Sequence, residues 1–503
     1  MDRNLAAAVV IAALAAIAIA SYYPLVGDEQ FHAYAAMWSA KSGVLASNNL
    51  EFFKGWTYIY PPLFHILEIF SLKAFGGILG TLGSARLVSV ISYAVLAALS
   101  YLFTKRFLPD VDARWALLFA TASPFLLSNS GLATITPLGL LFAMAFLYSL
   151  LGLLERPTMR NAAIAGGAMG LAMNAHYYFL SLPAVFVAVA SVNYLKKKNN
   201  FKFKTVGLAL VLGIATGAPF YLNNLVTYGY LNGPSGTLQN TPGEGIISAF
   251  KPEVVYFDIW LSGLNAFVHR GDLFSTFDAI FHLPIPSFLP WLAVTGALTL
   301  VILLGMASTL RTRPELAAAF LVSLPPLYFG DGFWRYSGVD PILSAVFFSA
   351  GVTFMIAETK KRMEDANAPK IISAVLLACF AVLLLQTAVT AYYVHGRKQP
   401  LHSFVQSIPQ KAGGETFCEL MPPGSYRAAL PSILLDREVE GCGPAWRDEP
   451  GKTSEMGRWV FVQADSANYP PEIIDYFHKA LAGYEKVDSI TVAPVGEELW
   501  RRK

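Results

Sequence analysis

Two adjacent carboxylates, Asp28 and Glu29, follow the first long apolar segment of the sequence. A partly hydrated carboxylate can accept a proton from a hydroxyl group as that group attacks an electrophile, so both residues are candidates for general-base catalysis. Phe31, Tyr34 and Trp38 then recur at the spacing of a helix that lies in the membrane interface. In such a helix Asp28 is the N-cap and Glu29 complements the helix dipole. The spacing alone favours this structural role over catalysis.

Arg335 is a candidate for binding an anion, because a planar guanidinium group can donate two parallel hydrogen bonds to a phosphate. For Arg335, an ion pair with Asp331 is an equal alternative. Arg86, a further candidate for substrate binding, begins an apolar segment, where an arginine usually reaches the lipid headgroups and could instead hold a loop carboxylate. His65 interrupts an apolar run, and a hydrogen-bonded structural role is the favoured interpretation. The further candidates for substrate binding are Tyr60, Lys54, Tyr336, His269 and Arg270.

The sequence gives only weak support for a metal site. No group of His and Cys residues has the spacing of metal ligands, and only Asp28 and Glu29 are candidates to hold a hard divalent cation. Of the three cysteines, Cys379 lies in an apolar run and is expected to pack there. Cys418 and Cys442 lie in the more polar C-terminal part and can pair if that part faces an oxidising compartment.

Charged residues are distributed unevenly along the 503 residues of the chain. Residues 396–503 hold 28 charged side chains in 108 positions, whereas residues 1–395 hold only 43. Soluble domains contain about 25% charged residues, so residues 1–395 are too apolar to be a soluble domain. We therefore expect an α-helical polytopic membrane protein with a small extracytoplasmic α/β domain at residues 396–503. The net charge of +3 comes without a basic, aromatic-rich face, which argues against nucleic-acid binding.

Apolar segments near the length needed to cross a bilayer indicate about eleven transmembrane helices. The first is interpreted as an anchor rather than a signal peptide, because no small-residue cleavage pattern follows it. The predicted spans are residues 5–25, 85–104, 114–131, 136–154, 161–176, 178–195, 204–222, 288–308, 315–330, 338–357 and 371–393.

The basic residues predict the orientation of these spans. Alternate loops, together with the N-terminal segment, carry 17 Lys and Arg on one side, against seven on the other side before residue 396. The positive-inside rule then places the N-terminus in the cytoplasm and the C-terminal domain outside the cell membrane. The long loops 26–84 and 223–287 also lie outside, so a binding or catalytic centre is expected at the outer surface.

The C-terminal domain shows alternating strand and helix patterns. Residues 457–464 are typical of a strand, residues 471–483 have apolar positions at helical spacing, and residues 487–492 indicate a terminal strand. These elements predict a small α/β unit.

In their order along the chain, these features resemble GT-C glycosyltransferases of the family-39 type, which include protein O-mannosyltransferases and lipid A aminoarabinose transferases. The matching motifs are Asp28-Glu29, Tyr60-Pro61-Pro62-Leu63, Arg86-Leu87, and Arg335-Tyr336 followed by Pro341.

The resemblance implies a polyprenyl- or dolichyl-phosphate sugar donor and an inverting transfer to a hydroxyl of a protein, lipid or glycan acceptor. It also implies that Asp28 is the general base and that Arg335 stabilises the departing lipid phosphate. Many relatives have a second Asp in a Thr-Asp-x-Pro-Leu context, where this chain has Ile135. This difference weakens the case for a bound metal ion.

Two other classes of protein compete with this interpretation. A transporter or a flippase for lipid-linked sugars is expected to show repeat symmetry and ionisable residues near the bilayer midplane, whereas here these residues gather at the outer boundary. A non-catalytic assembly or sensor protein would give no role to the ionisable residues of the outer loops. An oligosaccharyltransferase is disfavoured because the sequence lacks Trp-Trp-Asp-Tyr-Gly. The absence of Asn-x-Ser/Thr sites and of a KDEL-type ending favours a prokaryotic cell membrane.

Overall fold

The computed structural model is mostly helical, with a small sheet near the C-terminus. It describes residues 3–25, 29–47, 60–196, 201–228, 285–323, 339–362, 367–420, 429–437, 439, 441–442, 457–464, 471–492 and 495–503. The helices are α1 (Arg3–Tyr22), α2 (Glu29–Ser42), α3 (Leu63–Phe107), α4 (Arg114–Ala122), α5 (Pro124–Ser130), α6 (Thr136–Glu155), α7 (Met159–Ala175), α8 (Leu182–Lys196), α9 (Phe203–Gly217), α10 (Pro219–Tyr228), α11 (Ile285–Thr309), α12 (Pro314–Val322), α13 (Asp340–Arg362), α14 (Ala368–Lys411), α15 (Ala429–Leu434) and α16 (Pro471–Ala480).

Six helices of the described chain are long and apolar enough to cross a membrane, and a seventh span results if the bent pair α9 and α10 is counted as one. The chain is therefore a multi-pass membrane protein, and the predicted total of eleven spans stays a prediction. Predicted span 114–131 is broken into α4 and α5 at Ser123, because Pro124 cannot continue the backbone hydrogen-bonding of the preceding helix. The predicted span 315–330 is described only as far as residue 323.

Helix α3 consists of two arms that fold back on each other at Gly80. This residue has φ 67° and ψ 179°, a backbone conformation that is nearly restricted to glycine. The Ser71 hydroxyl donates a hydrogen bond to the Ser84 carbonyl at 2.6 Å, although about 20 Å separates two such residues in a straight helix. Residues 63–79 thus form a separate arm of α3, and Ser71 on this arm lies beside Ser84 on the other side of the bend.

Ion pairs join the ends of several helices near the predicted cytoplasmic side. The Glu155 carboxylate accepts from Arg106 at 3.5 Å and from Arg313 at 3.2 Å. The buried Glu315 pairs with Arg313 at 3.3 Å and with Lys196 at 3.1 Å. Residues whose charges predict the orientation therefore also connect α3, α6, α8 and α12.

The C-terminal sheet has the strand order β2-β1-β3-β5-β4. Its strands are β1 (Phe417–Leu420), β2 (Gly441–Cys442), β3 (Trp459–Ala464), β4 (Tyr484–Val492) and β5 (Val495–Arg502). Strand β1 pairs in parallel with β2 and β3, and β5 pairs antiparallel with β3 and β4. A disulfide between Cys418 and Cys442 joins β1 to β2.

Alternate side chains of the sheet build two small cores, as strand geometry requires. On one face, Phe417, Phe461 and Leu499 pack with Val405 and Ile408 from the end of α14. On the other face, residues of β1 and β3 pack with Phe477 and Leu481, of which Phe477 belongs to α16.

The chain divides into two compact units whose segments alternate along the sequence. The first unit comprises residues 1–21, 59–67 and 86–390, and the second comprises residues 22–58, 68–85 and 391–503. The predicted boundary between residues 395 and 396 falls within α14, which continues to Lys411. The second unit thus contains the C-terminal domain together with α2 and most of the first arm of α3.

Candidate functional site

Four of the ten predicted catalytic or substrate-binding residues lie in the described part of the chain: Glu29, Tyr60, His65 and Arg86. The other six lie outside the described residues. They are Asp28, Lys54, His269, Arg270, Arg335 and Tyr336.

Glu29 is the first residue of α2 and is almost completely buried, with 1% of its surface exposed. A carboxylate at this end of a helix is stabilised by the partial positive charge of the unsatisfied backbone N–H groups. Helix α2 also buries His32 and Tyr34, whereas Phe31 is exposed. The helix packs against α15 of the C-terminal domain. Of the face predicted from Phe31, Tyr34 and Trp38, Tyr34 is buried, Trp38 is half-buried and Phe31 is exposed.

Glu68 is a second buried carboxylate in the same unit as Glu29. It lies on the first arm of α3, and the two carboxylates are within electrostatic range of each other. Burying two acidic groups so close together is costly unless a proton or a positive charge is nearby. In the sequence, Glu68 interrupts the same apolar run as His65, and an ionisable residue in such a run is itself a signal of function.

His65 is fully buried, three residues before Glu68 on the same arm. Its ring meets the edge of Phe64 with the ring centroids 5.6 Å apart. Phe64 packs in an apolar cluster with Val88 and Ile135. Ile135, which stands where many relatives have an Asp, is therefore part of a hydrophobic core and cannot supply a metal ligand.

Arg86 is buried and belongs to the first unit. Its Nη1 donates a hydrogen bond to the Ala20 carbonyl of α1 at 2.6 Å. The side chain therefore turns into the protein and ties the beginning of the second span to the end of the first. Of the roles considered from the sequence, this position does not fit an arginine that extends along the helix to lipid headgroups.

Tyr60 is part of a group of four aromatic rings in the first unit. Its ring centroid lies 6.0 Å from that of His176 and 5.8 Å from that of Tyr177. The Tyr177 and Tyr178 hydroxyl groups share a hydrogen bond of 3.0 Å. His176 caps the short 3-10 helix over residues 177–181, because its Nδ1 accepts from the backbone N–H of Tyr178 at 3.0 Å. That bond makes Nε2 the protonated nitrogen of a neutral ring.

Sequence reasoning did not predict the group around His176. The sequence nevertheless contains a clue to this group, because the junction of two predicted spans, residues 161–176 and 178–195, consists of His176, Tyr177 and Tyr178. Polar aromatic residues concentrate at the boundary between membrane and water.

Another pair of buried carboxylates, Glu419 and Glu497, lies in the C-terminal domain. Burial and, to a lesser extent, the negative charge of Glu419 raise the pKa of Glu497 to about 8, although the positive charge of Lys398 lowers it. A carboxyl group with this pKa is largely protonated at neutral pH. In the described residues, no group of three or more His, Cys, Asp or Glu side chains is arranged to hold a metal ion.

Comparisons with known proteins agree with this architecture. Residues 61–219 match the family model described as dolichyl-phosphate-mannose-protein mannosyltransferase. The fold is similar to that of ArnT from Cupriavidus metallidurans bound to undecaprenyl phosphate, with a TM-score of 0.60 at 14% identity, over 98% of this chain and 97% of ArnT. The chain therefore shares the fold of ArnT.

Two further structures share this fold. Apo ArnT from the same organism matches with a TM-score of 0.61 at 14% identity, over 98% of this chain and 97% of ArnT. The archaeal oligosaccharyltransferase AglB from Archaeoglobus fulgidus, in complex with an inhibitory peptide and a dolichol-phosphate, matches with a TM-score of 0.55 at 12% identity, over 98% of this chain and 74% of AglB. No curated protein matches the sequence significantly.

Proposed function

We propose that this protein is a GT-C glycosyltransferase that moves a sugar from a polyprenyl- or dolichyl-phosphate donor to an acceptor hydroxyl on the extracytoplasmic side of the membrane. The observation that carries the proposal is the match of residues 61–219 to the mannosyltransferase family. Similarity to ArnT and AglB, whose structures contain undecaprenyl phosphate and dolichol-phosphate, supports a lipid phosphate as the carrier.

In the proposed reaction, the Asp28 carboxylate accepts the proton of the acceptor hydroxyl as its oxygen attacks the anomeric carbon. The bond between that carbon and the phosphate oxygen breaks, and the lipid phosphate leaves with the electron pair. Attack from the side opposite to the phosphate inverts the anomeric configuration. Arg335 stabilises the negative charge that develops on the phosphate. Ile135 offers no ligand to a metal ion, and the reaction proposed has no step through one.

The buried carboxylates of Glu29 and Glu68 support an acidic site in this region. Glu29 follows Asp28 directly in the chain, and two carboxylates within electrostatic range favour a proton nearby because it reduces their repulsion. Tyr60 and His65 are proposed to contribute to donor binding, while Arg86 anchors the second span to Ala20.

Asp28→Asn is expected to leave the protein folded in the membrane and to abolish sugar transfer, because an amide cannot accept the proton. The purified protein, reconstituted in nanodiscs, is assayed with a panel of polyprenyl-phosphate sugars and radiolabelled products are measured. Asp110→Asn is the matched control, since Asp110 is exposed in the loop after α3. Undiminished transfer by Asp28→Asn would disprove its role as the base. If the wild type moves lipid-linked sugar between leaflets but transfers none, the protein is a flippase.

Arg335→Ala is expected to weaken use of the donor, because the departing phosphate loses its bidentate partner. Loss of a charged donor to a developing negative charge costs about 3 kcal/mol, or roughly two orders of magnitude in rate. Arg335→Lys keeps the charge without the planar fork and is expected to fall between the wild type and the Ala variant. Initial rates at varied donor concentration measure the effect. Equal kinetics in all three proteins would reject the phosphate role.

A further inference from the structure

The turn that follows α15 in the C-terminal domain is closed by Asp436. The N–H of Arg437 donates to the Ser432 carbonyl at 3.1 Å, and the N–H of Asp436 donates to the Ile433 carbonyl at 3.3 Å. This pair of hydrogen bonds is the Schellman pattern that ends many helices, and its left-handed position is usually occupied by glycine.

Asp436 occupies this position with φ 54°, and it is the only residue other than glycine with a positive φ in the described part of the chain. An aspartate tolerates the left-handed region better than most residues, but it is still less favourable there than glycine. An unfavourable backbone conformation at a residue other than glycine points to a role for its side chain.

The side chain of Asp436 holds the bend of α3. Its Oδ1 accepts a hydrogen bond from the hydroxyl group of Thr81, the residue that follows the bend at Gly80. The turn itself is fixed to the domain, because the Ser432 hydroxyl accepts from the Val439 N–H at 2.9 Å. Leu434 and Leu435, on either side of the helix end, pack against the core of the sheet.

The same part of the C-terminal domain also contacts α2, because α15 packs against that helix. Helix α2 begins with Glu29, and the first arm of α3 carries Glu68. Helix α15 thus contacts the helix that begins with Glu29, and the turn after it contacts Thr81, the residue after the bend that joins the first arm to the second. All of these residues belong to the second compact unit.

We propose that Asp436 is a positioning residue that fixes the bend at Gly80 and thereby sets the relative placement of Glu29 and Glu68. Glu68 lies 12 positions before the bend, which is about 18 Å of helix. A rotation of about 5° at the bend moves Glu68 by about 1.5 Å, and a displacement of about 1 Å can cost a hundredfold in rate. The consequence for catalysis depends on the proposed function, whereas the hydrogen bond to Thr81 does not.

The test compares two substitutions at Asp436. Asp436→Gly keeps the left-handed backbone and removes the acceptor, while Asp436→Asn retains an acceptor oxygen and tolerates the same φ. We expect Asp436→Gly and Thr81→Val each to lower kcat, on the order of tenfold, with donor KM changed by less than a factor of two. Asp436→Asn and Thr81→Ser are expected to retain near wild-type kcat. An unchanged kcat in Asp436→Gly, or an equal loss in Asp436→Asn, would overturn the proposal.

A second measurement does not depend on sugar transfer. The Tm of the full-length protein is compared for Asp436→Gly, Thr81→Val and the double variant. If the two side chains act through one hydrogen bond, the double variant loses less than the sum of the single losses. Additive losses would refute the contact. If the wild type transfers no sugar, the proposed function fails, and a non-additive Tm cycle still identifies Asp436 as the residue that holds the bend.

Discussion

The role of a single residue in this protein depends on contacts that its sequence neighbours do not reveal. Ile135 packs with Phe64 in an apolar cluster, at a position where many members of the family that the chain resembles have an acidic residue. Arg86 donates to a backbone carbonyl of α1, one of several partners that an outer arginine could have. A sequence pattern predicts the residue type that a position requires, but the partner depends on which segments the fold brings together.

Glu497 provides a prediction at this scale. Its pKa in the folded protein is about 8, well above the ordinary value of a glutamate. The folded state therefore binds this proton more tightly than the unfolded state does. The resulting contribution to stability is complete below about pH 4.5 and is lost as the pH rises through 8. Since one pKa unit corresponds to about 1.4 kcal/mol, the domain loses a few kcal/mol of stability across that window.

Glu497→Gln is expected to flatten this dependence and to raise the Tm of the C-terminal domain above pH 8, because the amide is neutral at every pH. Tm values from pH 4 to 9 measure the effect. Glu498→Gln is the matched control, since Glu498 pairs with Lys486 in a partly exposed position. Identical pH profiles for the wild type and Glu497→Gln would contradict the assignment.

At the scale of elements, the helices of the membrane part were more predictable than the strands of the C-terminal domain. Apolar runs of sufficient length predicted α6 and α13 closely, because the residues that face lipid and those that face other helices are both apolar. Strand β5 was missed, since its sequence from Val495 to Arg502 is rich in charge. It pairs with β3 and β4 on its two sides, so backbone hydrogen bonds and Leu499 hold it in the sheet.

The bend in α3 gives a second prediction. Gly80→Ala is expected to lower the free energy of unfolding by about 1–3 kcal/mol, because a Cβ is strained at this φ and ψ. An added Cβ would meet no atom within 4 Å, so the cost is conformational rather than steric. Gly77→Ala is the control, since its Cβ is equally free of contacts and the residue lies in regular helix. Thermal unfolding in detergent compares the two variants, and equal Tm shifts would contradict the backbone argument.

At the scale of the whole molecule, composition predicted a membrane part and a more polar C-terminal domain. The compact units nevertheless cross that boundary, because α2 and the bend of α3 pack with the C-terminal domain in the second unit. No local pattern could predict this arrangement. The contact of Thr81 with Asp436 joins residues 355 positions apart, and only the folded chain brings them together.

The ion pairs around Glu315 affect how the orientation of this protein can be tested. Charge-reversal mutagenesis assumes that a basic loop residue acts only while the chain inserts into the membrane. Lys196 and Arg313 violate that assumption, because reversing either charge would also leave the buried Glu315 next to a like charge. A misfolded protein would then be mistaken for an inverted one. Arg160 and Lys204 are exposed and are the better residues for that experiment.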